Sequence, residues 1–60
     1  MSERFEIKKS KNDKFYFNLI ASNNEIIATS EMYEKKSGVK NGIKSVKKNA
    51  PIAEIIDKTI

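Results

Sequence analysis

The chain has 60 residues and a mass of 6.9 kDa, with twelve basic side chains against eight acidic ones and a net charge of +4. It contains no cysteine, histidine or tryptophan, which excludes a disulfide framework, a thiolate nucleophile, an imidazole base and a Cys/His zinc site. A domain this short hides only ~60% of the surface its unfolded chain exposes, so what remains is good packing or a partner chain, commonly a copy of itself.

Residues 1–9 alternate charge with apolar side chains and have no signal-peptide core. No apolar run approaches the ~20 residues that span a bilayer. Disorder fits poorly, because the 38% of hydrophobic residues fall in periodic segments. These features predict one cytoplasmic domain over residues 1–60 that has no membrane partner.

The first strand signal is Phe5 and Ile7 alternating with Glu6 and Lys8. A polar stretch over residues 9–14 follows. Phe15, Phe17, Leu19 and Ala21 then alternate with Tyr16, Asn18, Ile20 and Ser22. After Asn23-Asn24 comes a β-branched run, residues 25–30.

Turn chemistry sets the register. A three-residue loop, Lys11-Asn12-Asp13, with Asp13 near the left-handed conformation, pairs Ile7 with Phe17 and Phe5 with Leu19. A two-residue type I′ turn at Asn23-Asn24 pairs Ala21 with Ile26 and Leu19 with Ala28 on one face. It sets Ile20 against Ile27 on the other. Residues 31–36 read as a connector.

Ser37 is the expected N-cap of a helix on which Val39, Ile43, Val46 and Ala50 form one apolar stripe. Gly42 lies beside that stripe, where close packing of helix on sheet is its expected job. Pro51 stops the helix, and residues 52–57 read as a final strand with apolar residues on both faces. The expected fold is α+β: a βββαβ unit, an antiparallel sheet with one packed helix.

The segment Glu25-Ile26-Ile27-Ala28-Thr29-Ser30-Glu31, then Tyr33, Gly42-Ile43 and Ser45-Val46-Lys47-Lys48-Asn49-Ala50-Pro51 resemble the YegP-like family of small bacterial proteins. The resemblance runs from Phe5 to about Asp57. It implies βββαβ units that share one sheet and exchange C-terminal strands, as tandem repeats or as dimers. For a chain with one unit it implies a homodimer. It implies no activity, since the family's biochemical role is uncharacterised.

The residues point to a dimer on their own account. Ile20 and Ile27 face away from the helix side, and Ile52, Ile55 and Ile56 lie on a strand that expects cover on both faces. These five are the candidate dimer interface. A lone unit also leaves a sheet edge open to pairing.

Catalysis has little to work with. Glu31 and Glu34 read as a solvated connector rather than a carboxylate pair, and the isolated acids carry no calcium-loop signature. No glycine-rich phosphate cradle exists. Phe15 and Phe17 read as core beneath the helix rather than a base-stacking platform, leaving Tyr16 and Tyr33 as the candidate exposed aromatics.

The sharpest functional feature is basic. Residues 35–48 hold six lysines and no acid: Lys35, Lys36, Lys40, Lys44, Lys47 and Lys48. Two of them sit at the helix start, where the dipole already favours an anion. The bland reading is a solvated helix face in a lysine-rich composition. The expected function is therefore a small non-enzymatic homodimeric binding or scaffold domain without a cofactor. The alternative is weak, non-sequence-specific binding of nucleic acid or another polyanion through those lysines.

Overall fold

A computed structural model of the chain describes residues 2–59. Three strands, β1 (Arg4–Lys9), β2 (Phe15–Ile20) and β3 (Ile26–Thr29), form an antiparallel meander in the order β1-β2-β3. One helix, α1 (Lys36–Asn49), follows, and a single 3₁₀ turn (Ala50–Ile52) ends the regular structure. The α+β class and the helix-on-sheet layering match the sequence reading.

The first hairpin has the expected register. Ile7 faces Phe17 and Phe5 faces Leu19, so all four side chains share one side of the sheet. Phe5 and Phe17 meet edge to face, with centroids 5.6 Å apart. The loop is closed by Ser10 N–H donating to the Lys14 carbonyl at 2.8 Å. Asp13 takes a positive φ of 61°, the left-handed residue that a three-residue hairpin loop needs.

The second hairpin corrects the expected turn. Asn24 alone is left-handed (φ 68°), and Ala21 N–H donates to the Glu25 carbonyl at 2.8 Å. The loop is therefore Ser22-Asn23-Asn24, three residues and not two. Asn23 holds it shut, its carbonyl oxygen accepting from Glu25 N–H at 3.1 Å and its amide donating to the Glu25 carboxylate at 2.7 Å. The extra residue is absorbed by a bulge: Ile20 faces Ile26 while Leu19 still faces Ala28. Ile27 is the bulged residue, and the expected Ile20–Ile27 pair does not form.

Pairing with β2 continues beyond β3. Phe17 N–H donates to the Ser30 hydroxyl and Ser30 N–H to the Phe17 carbonyl, both at 2.9 Å. Phe15 and Tyr33 then exchange backbone hydrogen bonds of 2.8 and 2.7 Å. Tyr33 was expected in a free connector as an exposed aromatic. It is half-buried instead, because this bridge pins its backbone and turns its ring under the helix.

That ring explains the glycines of α1. A Cβ on Gly42 would lie 2.5 Å from the Tyr33 Oη, 3.0 Å from its Cζ and 3.3 Å from Phe17 Cε2. A Cβ on Gly38 would lie 3.2 Å from Tyr33 Cδ2. Close packing is thus the job of Gly42, and Tyr33 is its main partner. Val39, one turn from Gly42, is fully buried.

One helix-end expectation needs correction. The N-cap is Lys35, not Ser37, and no side chain caps the helix. The α-helix ends at Asn49, just ahead of Pro51 as expected, and Pro51 lies in the 3₁₀ turn that follows. More significantly, the expected strand over residues 52–57 does not form within one chain. Ile52 closes the 3₁₀ turn, and residues 53–59 are exposed and in neither helix nor strand.

Among the described residues the buried apolar side chains are Phe17, Ile20 and Val39. Asn18, the buried polar residue, accepts a 2.9 Å hydrogen bond from the Thr29 hydroxyl on β3. The radius of gyration is 13.0 Å, against about 10 Å for a compact chain of this length. The excess matches a C-terminal segment that does not fold back.

Candidate functional site

Two surfaces stand out: the apolar C-terminal segment and a basic cleft at the opposite end of α1. Ile55 is 98% exposed, Ile52 80% and Ile56 71%. β3 adds Ile26 and Ile27, more than half exposed. Ile20, by contrast, is buried inside its own chain. It therefore needs no partner to cover it and leaves the group of candidate interface residues, whereas Ile27, Ile52, Ile55 and Ile56 stay accessible.

The cleft is an open depression of about 550 Å³, lined by Ile7, Lys8, Lys9, Phe15, Lys36 and Lys40. Strand pairing builds one wall. Lys9 faces Phe15 across the first hairpin, and Lys9 Nζ sits 5.9 Å from the Phe15 ring centroid. The Phe15–Tyr33 bridge brings the start of α1 alongside, and Lys36 and Lys40, one turn apart, form the other wall. Phe15 is only half-buried, so it lines this cleft while Phe17 alone reaches the core.

The cleft is electropositive. The Lys8 ammonium pairs with Glu6 (3.7 Å), which also accepts a 2.7 Å bond from Arg4. That guanidinium bond holds the Glu6 carboxyl below its ordinary pKa of 4.5. Lys9 pairs loosely with the exposed Asp13 at 3.6 Å, and Lys14 with Glu34 at the same distance. Among the described residues, none of Lys35, Lys36, Lys40, Lys44, Lys47 and Lys48 makes an ion pair.

Of the six lysines singled out in the sequence, only Lys36 and Lys40 line the cleft. Lys35, Lys44, Lys47 and Lys48 are exposed elsewhere along or beside α1. Sequence reasoning missed the contribution of Lys9 and Phe15. The signal was present in the hairpin register, which places these two opposite each other once Ile7 is paired with Phe17.

Acidic chemistry is sparse. Glu34 is engaged by Lys14, and Asp57 accepts hydrogen bonds from Thr59 that lower its carboxyl pKa. Among the described residues no three metal-ligating side chains gather, and no helix is long and apolar enough to cross a membrane.

The meander, the glycine-lined helix seat and the projecting C-terminus define a small α+β domain whose last segment is unpaired. Comparison with known proteins agrees with that architecture. Residues 10–57 match a family described as a domain of unknown function, DUF1508. The chain is 51% identical over 57 residues to a UPF0339 protein of Treponema denticola, covering 95% of this chain and 98% of that protein. It is 46% identical over 57 residues to the UPF0339 protein YegP of Escherichia coli, covering 95% of this chain but 52% of that protein.

A solved structure, the NMR solution structure of a protein from Haloferax volcanii, superimposes with a TM-score of 0.86 at 38% identity. It covers 93% of this chain and 95% of that one. The chain belongs to the YegP-like DUF1508 family, a family of uncharacterised proteins. It spans nearly all of the Treponema protein and about half of the YegP proteins of E. coli and Yersinia pestis.

Proposed function

We propose that this chain is a non-enzymatic binding or scaffold domain that works as a pair of copies joined by exchange of their C-terminal segments. The observation that carries the reading is the exposure of Ile52, Ile55 and Ile56 in a segment with no strand partner of its own. Water against three isoleucines is costly, about 1.5–3 kcal/mol for each side chain left uncovered. A second copy supplies the missing cover symmetrically, each segment entering the other's sheet.

Relatives of about twice the length support the same reading, since one chain of that size has room for two such units. The non-enzymatic part rests on the residue inventory. With no Cys or His, only hydroxyl, amine and carboxylate chemistry remains, and among the described residues no group of three or more metal-ligating side chains gathers.

Light scattering coupled to gel filtration tests the pair directly. The full chain should run at twice its 6.9 kDa mass. Ile56→Asp should release monomer or unfold the protein, because it places a charge in a covered strand. Lys58→Ala, beside it in sequence, should leave the mass unchanged. A monomer at every concentration would overturn the pair, and a stable Ile56→Asp dimer would overturn the strand exchange.

A further inference from the structure

We propose that the cleft between the first hairpin and the start of α1 binds a nucleotide unit: a phosphoryl group joined to a flat ring. All six lining residues belong to one protomer. The cleft walls supply the two chemistries that such a ligand needs. Lys9, Lys36 and Lys40 line the cleft as cations, and Phe15 and Ile7 line it as apolar surface. A volume of about 550 Å³ lies within the range of small-ligand sites, ~300–1,000 Å³.

The helix start makes the cations more than a solvated fringe. The N-cap is a lysine, the first helical residue is a lysine, the first turn holds no acid and no side chain caps it. Each of these runs against what the dipole and the free N–H groups favour. Lys36 and Lys40 also repel each other across one turn. A phosphoryl group seated between Lys36 and Lys40 relieves that repulsion and supplies the negative charge that the first turn lacks, and such local rule-breaking is where functional sites are expected.

The ring follows from Phe15. Its centroid lies 5.9 Å from Lys9 Nζ, a cation over an aromatic face. A base can take that position against Phe15 while Lys9 turns to the phosphate, releasing only the loose pair with exposed Asp13. The stripe of six lysines thus narrows to two, joined by two hairpin residues, with Lys35, Lys44, Lys47 and Lys48 left out. The same chemistry arises from a free nucleotide or from one unit of a single-stranded nucleic acid.

Amide chemical shifts of the isotope-labelled full chain test this at low salt, with adenosine monophosphate, inorganic phosphate, adenosine and a short oligothymidylate as probes. The monophosphate should move the amides of Ile7, Lys9, Phe15, Lys36 and Lys40. Phosphate alone and adenosine alone should bind roughly tenfold more weakly. Lys36→Gln with Lys40→Gln should weaken the monophosphate roughly tenfold or more, while Lys47→Gln with Lys48→Gln should leave it unchanged.

Lys36→Glu separates a binding role from a structural one, since it should abolish binding yet raise the melting temperature. Tighter binding of the oligothymidylate per site would identify single-stranded nucleic acid as the source. Equal affinity would identify the free nucleotide. No shift with either probe, shifts spread along Lys44, Lys47 and Lys48, or phosphate binding as tightly as the monophosphate would each overturn the proposal.

Discussion

In the meander and helix, the central apolar positions find cover in their own chain: Phe17 under Gly42, Tyr33 under Gly38, Val39 with no exposed surface at all. In residues 53–59, Ile55 and Ile56 find none. Composition therefore does not separate the two regions; pairing does. The first region was given its partners by short hairpins and a bridge, contacts that close cheaply because the loops are short. The second follows a helix that carries it away from any open strand of its own sheet.

Substitutions in the two regions should consequently have unlike effects. Phe17→Ala should cost about 3–5 kcal/mol and unfold most of the chain, read by urea titration of far-ultraviolet circular dichroism. Ile55→Ala removes a side chain that one copy leaves bare, so under the proposed pairing it should raise the protein concentration at which half the chains associate and spare helix content. Equal loss of helix content in both variants would break the distinction.

The helix seat gives a smaller effect. Gly42→Ala brings a methyl group onto the Tyr33 ring, which should cost about 1–3 kcal/mol through overpacking, against about 1 kcal/mol gained from helix propensity. Adding Tyr33→Phe removes the oxygen that the methyl meets first and should recover much of the loss. A double variant no more stable than Gly42→Ala would place the strain elsewhere.

Lys36→Glu should stabilise by about 0.5–1 kcal/mol, because it exchanges an unfavourable charge at the helix start for a favourable one. Thermal melts at low salt would show it, and high salt should erase it. The smallest effect concerns Glu6. Its folded carboxyl pKa is depressed below 4.5 by the Arg4 bond, so its contribution is present above that value and fades as pH falls through the folded pKa. Arg4→Ala should remove that slight acid sensitivity of the melting temperature.

Much of the fold was legible in the sequence, for reasons that individual residues make plain. Alternation over residues 15–20 and an Asp at the left-handed loop position were enough for the first hairpin register. The second turn was misread because Asn-Asn suits both a two-residue turn and the end of a three-residue one. The bulge at Ile27 then restored the Leu19–Ala28 pair, which hid the difference from any argument based on facing residues.

Tyr33 was less legible. Nothing in Glu-Met-Tyr-Glu marks a strand, and its half-burial arises from a backbone bridge to Phe15, eighteen residues earlier in the chain. Gly42, at the middle of the helix, was the readable half of that contact, since a small residue beside an apolar stripe announces a close neighbour without naming it. The lysine tract was legible as charge but not as a site. Only the hairpin register, followed one pair further to Lys9 and Phe15, brings the second wall of the cleft into view.

The central claim is that residues 53–57 complete their strand on a second copy. Hydrogen exchange of their amides, followed over a range of protein concentrations, addresses it most directly. Protection of Ile55 and Ile56 should rise with concentration, in step with the doubling of mass. Fast exchange of these amides in a sample already at twice the chain mass would show that the pair is held elsewhere, and would contradict the account.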